Sequence, residues 1–279
     1  MALFDVYNQW NIELVKGEGA YVWDKTGKKY LDLYGGHGVI SIGHNHPRWR
    51  SSITKQLGAL SFYSNAVKNP LQEILANKLS EQSGYDNYAL FMCNSGAEAN
   101  ENAVKLASFH TGRKKIISFK GAFHGRTSGA VLLTDNPSIQ APFNRTDNVI
   151  MLPLNDSQAL EETLKQNDIA GIILEGIQGV GGLDEPSHKF LKSAVSLCKD
   201  HGALIILDEV QSGFGRSGHF FAHQHICNEA DIISMAKGMG NGFPVAGILI
   251  SPEIKAKKGM LGTTYGGNHL SCMASIAVL

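Results

Sequence analysis

From residue 88 onward the chain alternates short apolar runs with stretches of helical periodicity, and this rhythm constrains the fold more than any other feature. The runs are 88–93, 115–119, 148–152, 169–174, 203–207, 231–235 and 245–250. Several, such as IAGIIL and ALIIL, carry no polar side chain, as in strands covered on both faces. Helical patterns intervene at 97–110, 156–166 and 187–200. The alternation predicts an α/β domain with a mostly parallel sheet flanked by helices. In such sheets ligands sit beyond the carboxyl ends of the strands, so chemistry is expected there.

A smaller N-terminal lobe, residues 1–60, is expected ahead of a large domain spanning 61–279. Within it, residues 19–34 read as a hairpin turning at Lys25-Thr26-Gly27. Pro47 and Pro70 each open a helix, to about Leu60 and Gln82. Lysine plus arginine and aspartate plus glutamate both number 25, a net charge of zero. That balance argues against nucleic acid or an anionic membrane as partner. No apolar stretch approaches the roughly 20 residues of a membrane span. Four scattered cysteines and an N-terminus without a leader pattern point to reduced thiols and a cytoplasmic location. Glycine is abundant, 31 of 279 residues, which suits the tight turns and close backbone approaches of a ligand-binding enzyme.

Five strand-end segments carry candidate chemistry. After the run at 88–93 come Ser95, Gly96 and Ala97, with Ser95 and Glu98 as a capping box; free N–H groups at a helix start attract anions. Glu101 stands one turn before Lys105, in position to pair with it. After ALIIL comes Asp208, an acid expected to be partly buried and then in need of a partner; Arg216 is a local candidate. After 231–235 comes Lys237 beside glycines, where desolvation makes an amine nucleophilic toward a carbonyl. Phe123 can stack on a flat ring and Arg126 can clamp a carboxylate. The turn at 263–268 offers Thr263 and Thr264. Each segment taken singly reads equally well as a helix cap, a salt bridge or a solvated side chain. Together they suit a phosphorylated aromatic aldehyde, pyridoxal 5'-phosphate, which needs a lysine and an acidic partner for its ring nitrogen. His219, His223, His225 and Cys227 cluster, and His44 and His46 pair, without the spacing of a structural zinc site, so no metal is expected.

The segments NSGAEANENAVKLA (94–107), AFHGRT (122–127), LDEVQSGFGRSG (207–218), AKGMGNGFPVAG (236–247) and TTYGGN (263–268) occur in an order that resembles the class III, ornithine-type pyridoxal-phosphate aminotransferases, above all their acetylornithine branch. The N-terminal GEGAYVWDKTGKKYLDL and GHNHP are similar too, so the likeness runs along the whole chain. The resemblance implies a fold-type I architecture and a homodimer with shared active sites. It implies that Lys237 is the Schiff-base lysine and Asp208 the partner of the pyridinium nitrogen. By the same resemblance Val210 and Gln211 line the cofactor, and Ser95, Gly96 and Ala97 bind its phosphate. Phe123 then covers the ring, Arg126 clamps the substrate carboxylate and Thr263 lies near the substrate. Thr264 reaches the phosphate in the neighbouring subunit.

The implied reaction moves the ω-amino group of an acylated ornithine, N-acetylornithine first, to 2-oxoglutarate, giving a semialdehyde and glutamate. Succinylornithine, ornithine and 4-aminobutyrate are alternative donors, and a non-catalytic cofactor-binding fragment is a further alternative. Three departures from the family stand out. Relatives continue past the position of Leu279, so the C-terminal lobe is expected to be absent and unaided turnover to be poor. Val180 replaces a glutamate usual in QGEGG, which predicts greater tolerance of a donor with an extra carboxylate. His37 in YGGHGV stands where an aliphatic residue is common, as a substrate contact or as a packed histidine.

Overall fold

The computed structural model describes residues 1–166 and 168–279. It opens with three strands, β1 (Leu14–Glu18), β2 (Tyr21–Asp24) and β3 (Lys29–Leu31), forming a small antiparallel sheet in that order. The β2–β3 hairpin turns at the expected Lys25-Thr26-Gly27. There Asp24 Oδ1 accepts from the backbone N–H groups of Thr26 at 2.9 Å and Lys28 at 3.1 Å. β1 is an addition that the sequence pattern does not announce. Its residues are almost all exposed, so they carry no alternation. Helices α1 (Pro47–Leu57) and α2 (Pro70–Ser83) follow, each with proline in the first turn.

The remainder runs β4 (Ala89–Cys93), α3 (Gly96–Thr111), β5 (Lys115–Phe119), α4 (Ser128–Leu132), β6 (Val149–Leu152), α5 (Ser157–Leu164), β7 (Ile169–Glu175), α6 (His188–His201), β8 (Leu204–Asp208), β9 (Ile232–Met235), β10 (Ala246–Ile250) and α7 (His269–Val278). All seven apolar runs are strands of one sheet, ordered β4-β10-β9-β8-β7-β5-β6. The pairs β6–β5, β5–β7, β7–β8 and β8–β9 are parallel. β10 is antiparallel to both of its neighbours, β4 and β9. β4 therefore points the same way as the parallel strands, and its exit opens on the same edge as theirs.

Helices cover both faces, which is why the central strands are apolar throughout. On one face α3 presses Ala99, Ala103, Leu106 and Ala107 against Ile173, Ile206 and Ile248. On the other, Leu75 and Leu79 of α2, Leu160 of α5 and Phe190 and Leu191 of α6 join Ile172, Leu207 and Ile233. Phe119 and Phe190 meet edge to face at 5.6 Å between centroids. Among the described residues no helix is long and apolar enough to cross a membrane.

Candidate active site

The exits of β4, β5, β7, β8 and β9 surround a cleft of about 230 Å³. Gly96, Ala97, Phe123, Arg126, Asp208, Val210, Gln211 and Lys237 line it together. Ser95 is exposed at the head of α3, where its Oγ accepts from Glu98 N at 3.3 Å. The capping box reaches one residue further out than expected: Glu98 Oε2 accepts from Asn94 N at 2.8 Å. Glu101 does not turn to Lys105. It accepts instead from the N–H groups of Gly129 and Ala130 and so caps α4. Gly96 must be glycine for a packing reason: a Cβ there would stand 2.6 Å from Val210 Cγ1.

Asp208 ends β8 with 3% of its surface exposed. Its partner is not Arg216. Oδ2 accepts from Asn100 Nδ2 at 2.7 Å and lies 2.7 Å from His124 Nδ1, while Oδ1 accepts from Val210 N at 2.9 Å. Asn100 also donates to His124 O at 2.8 Å and accepts from Ser234 Oγ at 2.6 Å. Three elements are thereby fastened around one carboxylate. The other ring nitrogen of His124, Nε2, is buried without a partner among the described residues, although the residue lines the cleft.

Lys237 lies two residues past β9 with φ of 45°, a left-handed value costly for a residue with a Cβ and frequent at functional sites. Burial pushes its amine below the ordinary lysine range; the nearby Asp208 and Glu175 hold it back, and Arg216 adds to the fall.

Arg216 instead donates to the carbonyls of Gly38 at 2.8 Å and Ile40 at 3.3 Å, and Gln211 Nε2 donates to His37 O at 3.1 Å. The turn they hold is unusual: Gly35, Gly36, His37 and Gly38 all have positive φ, between 56° and 72°. His37 is exposed, its Nδ1 2.6 Å from Tyr34 OH. Val180 is 63% exposed at the rim of the cleft.

Thr263 and Thr264 are not brought to this cleft. Thr263 lines a separate hollow with Asn65, Gln72 and Met92, and its Oγ1 accepts from Gly266 N at 3.1 Å. Thr264 is exposed.

Asn100 and Glu175, not singled out from sequence, also belong to the cleft, as does His124, to which the sequence assigned no role. Glu175 closes β7 and is the register partner of Asp208 on β8. Burial pushes its carboxyl up to about 7, with His124 pulling it down and Asp208 pushing it further up. An acid ending a fully apolar run was the available signal for Glu175. For Asn100 the signal was an amide inside the small-residue stripe of α3.

A desolvated lysine amine and a buried, hydrogen-bonded carboxylate at adjacent strand ends thus line one cleft, on a sheet typical of cofactor-binding α/β enzymes. The class-III aminotransferase pattern matches residues 5–279, and the chain belongs to that family. An acetylornithine aminotransferase of Bacillus subtilis is 42% identical over 281 residues, covering 100% of this chain and 72% of its own. The crystal structure of acetylornithine aminotransferase from Elizabethkingia anophelis superimposes with a TM-score of 0.84 at 33% identity, covering 99% of this chain and 68% of that one. Taurine:2-oxoglutarate aminotransferase from Bifidobacterium kashiwanohense, solved in complex with PLP and glutamate, gives a TM-score of 0.92 at 27% identity over 100% of this chain and 69% of its own. The architecture is that of fold-type I aminotransferases.

Proposed function

We propose that the chain is a pyridoxal-phosphate-dependent aminotransferase that moves the ω-amino group of N-acetylornithine to 2-oxoglutarate, giving N-acetylglutamate semialdehyde and glutamate. The observation that carries the reading is the meeting of the Lys237 amine and the Asp208 carboxylate in one cleft. Acetylornithine aminotransferases at 40–43% identity over essentially the whole chain support the choice of substrate.

The residues present fit pyridoxal phosphate. A desolvated amine, a carboxylate held by Asn100 and Val210, an aromatic and a helix start opening at Gly96 and Ala97 share the cleft, and His124, which also lines it, has a buried Nε2 without a partner among the described residues. When bound, the cofactor supplies a protonated ring that withdraws electrons from the substrate carbon. Lys237 would hold the cofactor through its carbonyl group, and its amine, when free, would carry the proton taken from the amine-bearing carbon of the substrate. Asp208 keeps the ring nitrogen protonated, and His124 and Asn100 keep the carboxylate aimed. Phe123 would cover the ring, and Gln211, which lines the same cleft, would contact the cofactor. Ser95, Gly96 and Ala97 bind the phosphate on the free N–H groups that open α3. Arg126 binds the α-carboxylate of the substrate. Thr263 and Thr264, outside the cleft of their own chain, serve the site of a second copy in a homodimer.

Borohydride reduction with pyridoxal phosphate, followed by peptide mapping, tests the cofactor reading; label on a lysine other than Lys237 overturns it. Comparing kcat/KM for acetylornithine, succinylornithine, ornithine and 4-aminobutyrate tests the substrate. The highest value is expected for acetylornithine, and a higher one for another amine reassigns the donor.

A further inference from the structure

Beyond the exit of β7, residues 176–184 form a loop closed on itself, with Gln178 N donating to Asp184 O at 2.8 Å and Leu183 N to Gln178 O at 3.0 Å. Two side chains fasten this loop to the segment that follows β5. Gln178 Nε2 donates to Lys120 O at 2.9 Å. Glu175, 6% exposed, uses both carboxylate oxygens: Oε1 accepts from Phe123 N at 3.0 Å and Oε2 from Gly179 N at 3.1 Å. We propose that Glu175 is a positioning residue: its ionised carboxylate clips Phe123 to the 176–184 loop and so holds the aromatic in place against the cofactor ring. The proposal rests on the reading of the cleft as a pyridoxal-phosphate site.

The chemistry of the clip requires two acceptors. A carboxylate has two; a carboxylic acid has one carbonyl oxygen and one O–H, which would face an N–H donor with a donor of its own. Protonation therefore breaks one arm. Other charged groups share its surroundings: Asp208 at the end of β8, His124 and Arg126 after β5, and Lys237 after β9. Glu209, next along from Asp208, turns away to His223 and Ser212. Burial, opposed by His124 and reinforced by Asp208, pushes the Glu175 carboxyl up to about 7, so the clip would switch near neutral pH.

Glu175→Gln mimics the protonated acid, with one acceptor and one donor. The readout is the dissociation constant of pyridoxal phosphate from the cofactor-free full chain, measured by fluorescence titration from pH 5.5 to 8.5. At pH 8.5 the variant should bind about tenfold more weakly than the wild type, the expected effect of one unmet buried donor. The gap should close toward pH 5.5, where the wild type has lost the same arm. In a Phe123→Ala background the Glu175→Gln effect should shrink below about twofold, because coupled residues are not additive. If Glu175→Gln does not fold, Glu175→Asp, which keeps two acceptors, should retain the pH-dependent affinity. Equal affinities at pH 8.5, a tenfold gap that persists at pH 5.5, or the same loss without Phe123 would each overturn the proposal. A wild type that shows no saturable binding removes the cofactor reading itself, and the proposal with it.

Discussion

Asp208 Oδ2 lies 2.7 Å from His124 Nδ1, and neither side chain is more than 3% exposed. The carboxylate keeps its aim because His124 and Asn100 reach it from two other elements. Asp208→Asn replaces an acceptor by an amide and leaves Phe123, Lys237 and the start of α3 in place. The expected outcome is retained cofactor with turnover reduced by about two to four powers of ten, from the roughly 3–5 kcal/mol lost when one member of a buried charged pair is removed. Cofactor absorbance beside kcat for the same preparation checks it; near-normal kcat would refute the electron-sink role.

Gly96→Ala brings a Cβ to within 2.6 Å of Val210 Cγ1. Overpacking of this kind costs about 1–3 kcal/mol. Val210→Ala removes the obstructing methyls, so the double variant should recover much of that loss in urea unfolding. Additive destabilisation by the two substitutions would show that the close approach is not the cause.

Glu175 titrates at about 7 in the folded chain against an ordinary 4.5. A raised pKa means that the folded state binds the proton more tightly. The resulting stability is present below the unfolded pKa and is lost as pH rises through about 7. Relative to Glu175→Gln, the cofactor-free wild type should lose about 3 kcal/mol of stability between pH 4.5 and 8. A flat difference in unfolding free energy across that interval contradicts the assignment.

Lys237 shows the opposite sign. Its pKa is lowered by burial, so the folded state binds its proton less tightly than the unfolded chain does. The penalty is present in full below the folded pKa and disappears above the ordinary lysine value. Lys237→Met, without cofactor, should be more stable than the wild type at pH 7, with the advantage shrinking as pH rises toward 10.5. Thermal unfolding at pH 7 and 10 measures this, and a variant less stable at both rules it out.

Local pattern revealed what depends on neighbours in the chain. The seven strands of the large sheet were legible because each is a short apolar run, and Asp208 and Lys237 stood out because one closes such a run and the other follows one within two residues. β1 was not legible, because an exposed strand has no buried face to write into the sequence. The His124–Asp208 bond spans 84 positions and Asn100–Asp208 spans 108, so neither leaves a spacing to read. Glu175 ends IAGIIL as Asp208 ends ALIIL, but only the register of β7 against β8 makes them neighbours. The left-handed turn at 35–38 shows as glycines, whereas its supports, Gln211 and Arg216, lie far along the chain.

The antiparallel β10 carries a consequence for biosynthesis. β4 leads to Gly96 and Ala97, yet among the described residues its sole neighbour in the sheet is β10. Until residues 246–250 have left the ribosome, β4 has no strand beside it. Strand pairs this distant in sequence close late. The nascent chain can therefore lay down the parallel core from β5 to β9 first, while the turn ahead of α3 waits. The helix start at Gly96 and Ala97 is thus seated in the sheet only once its late-made partner strand, β10, is available.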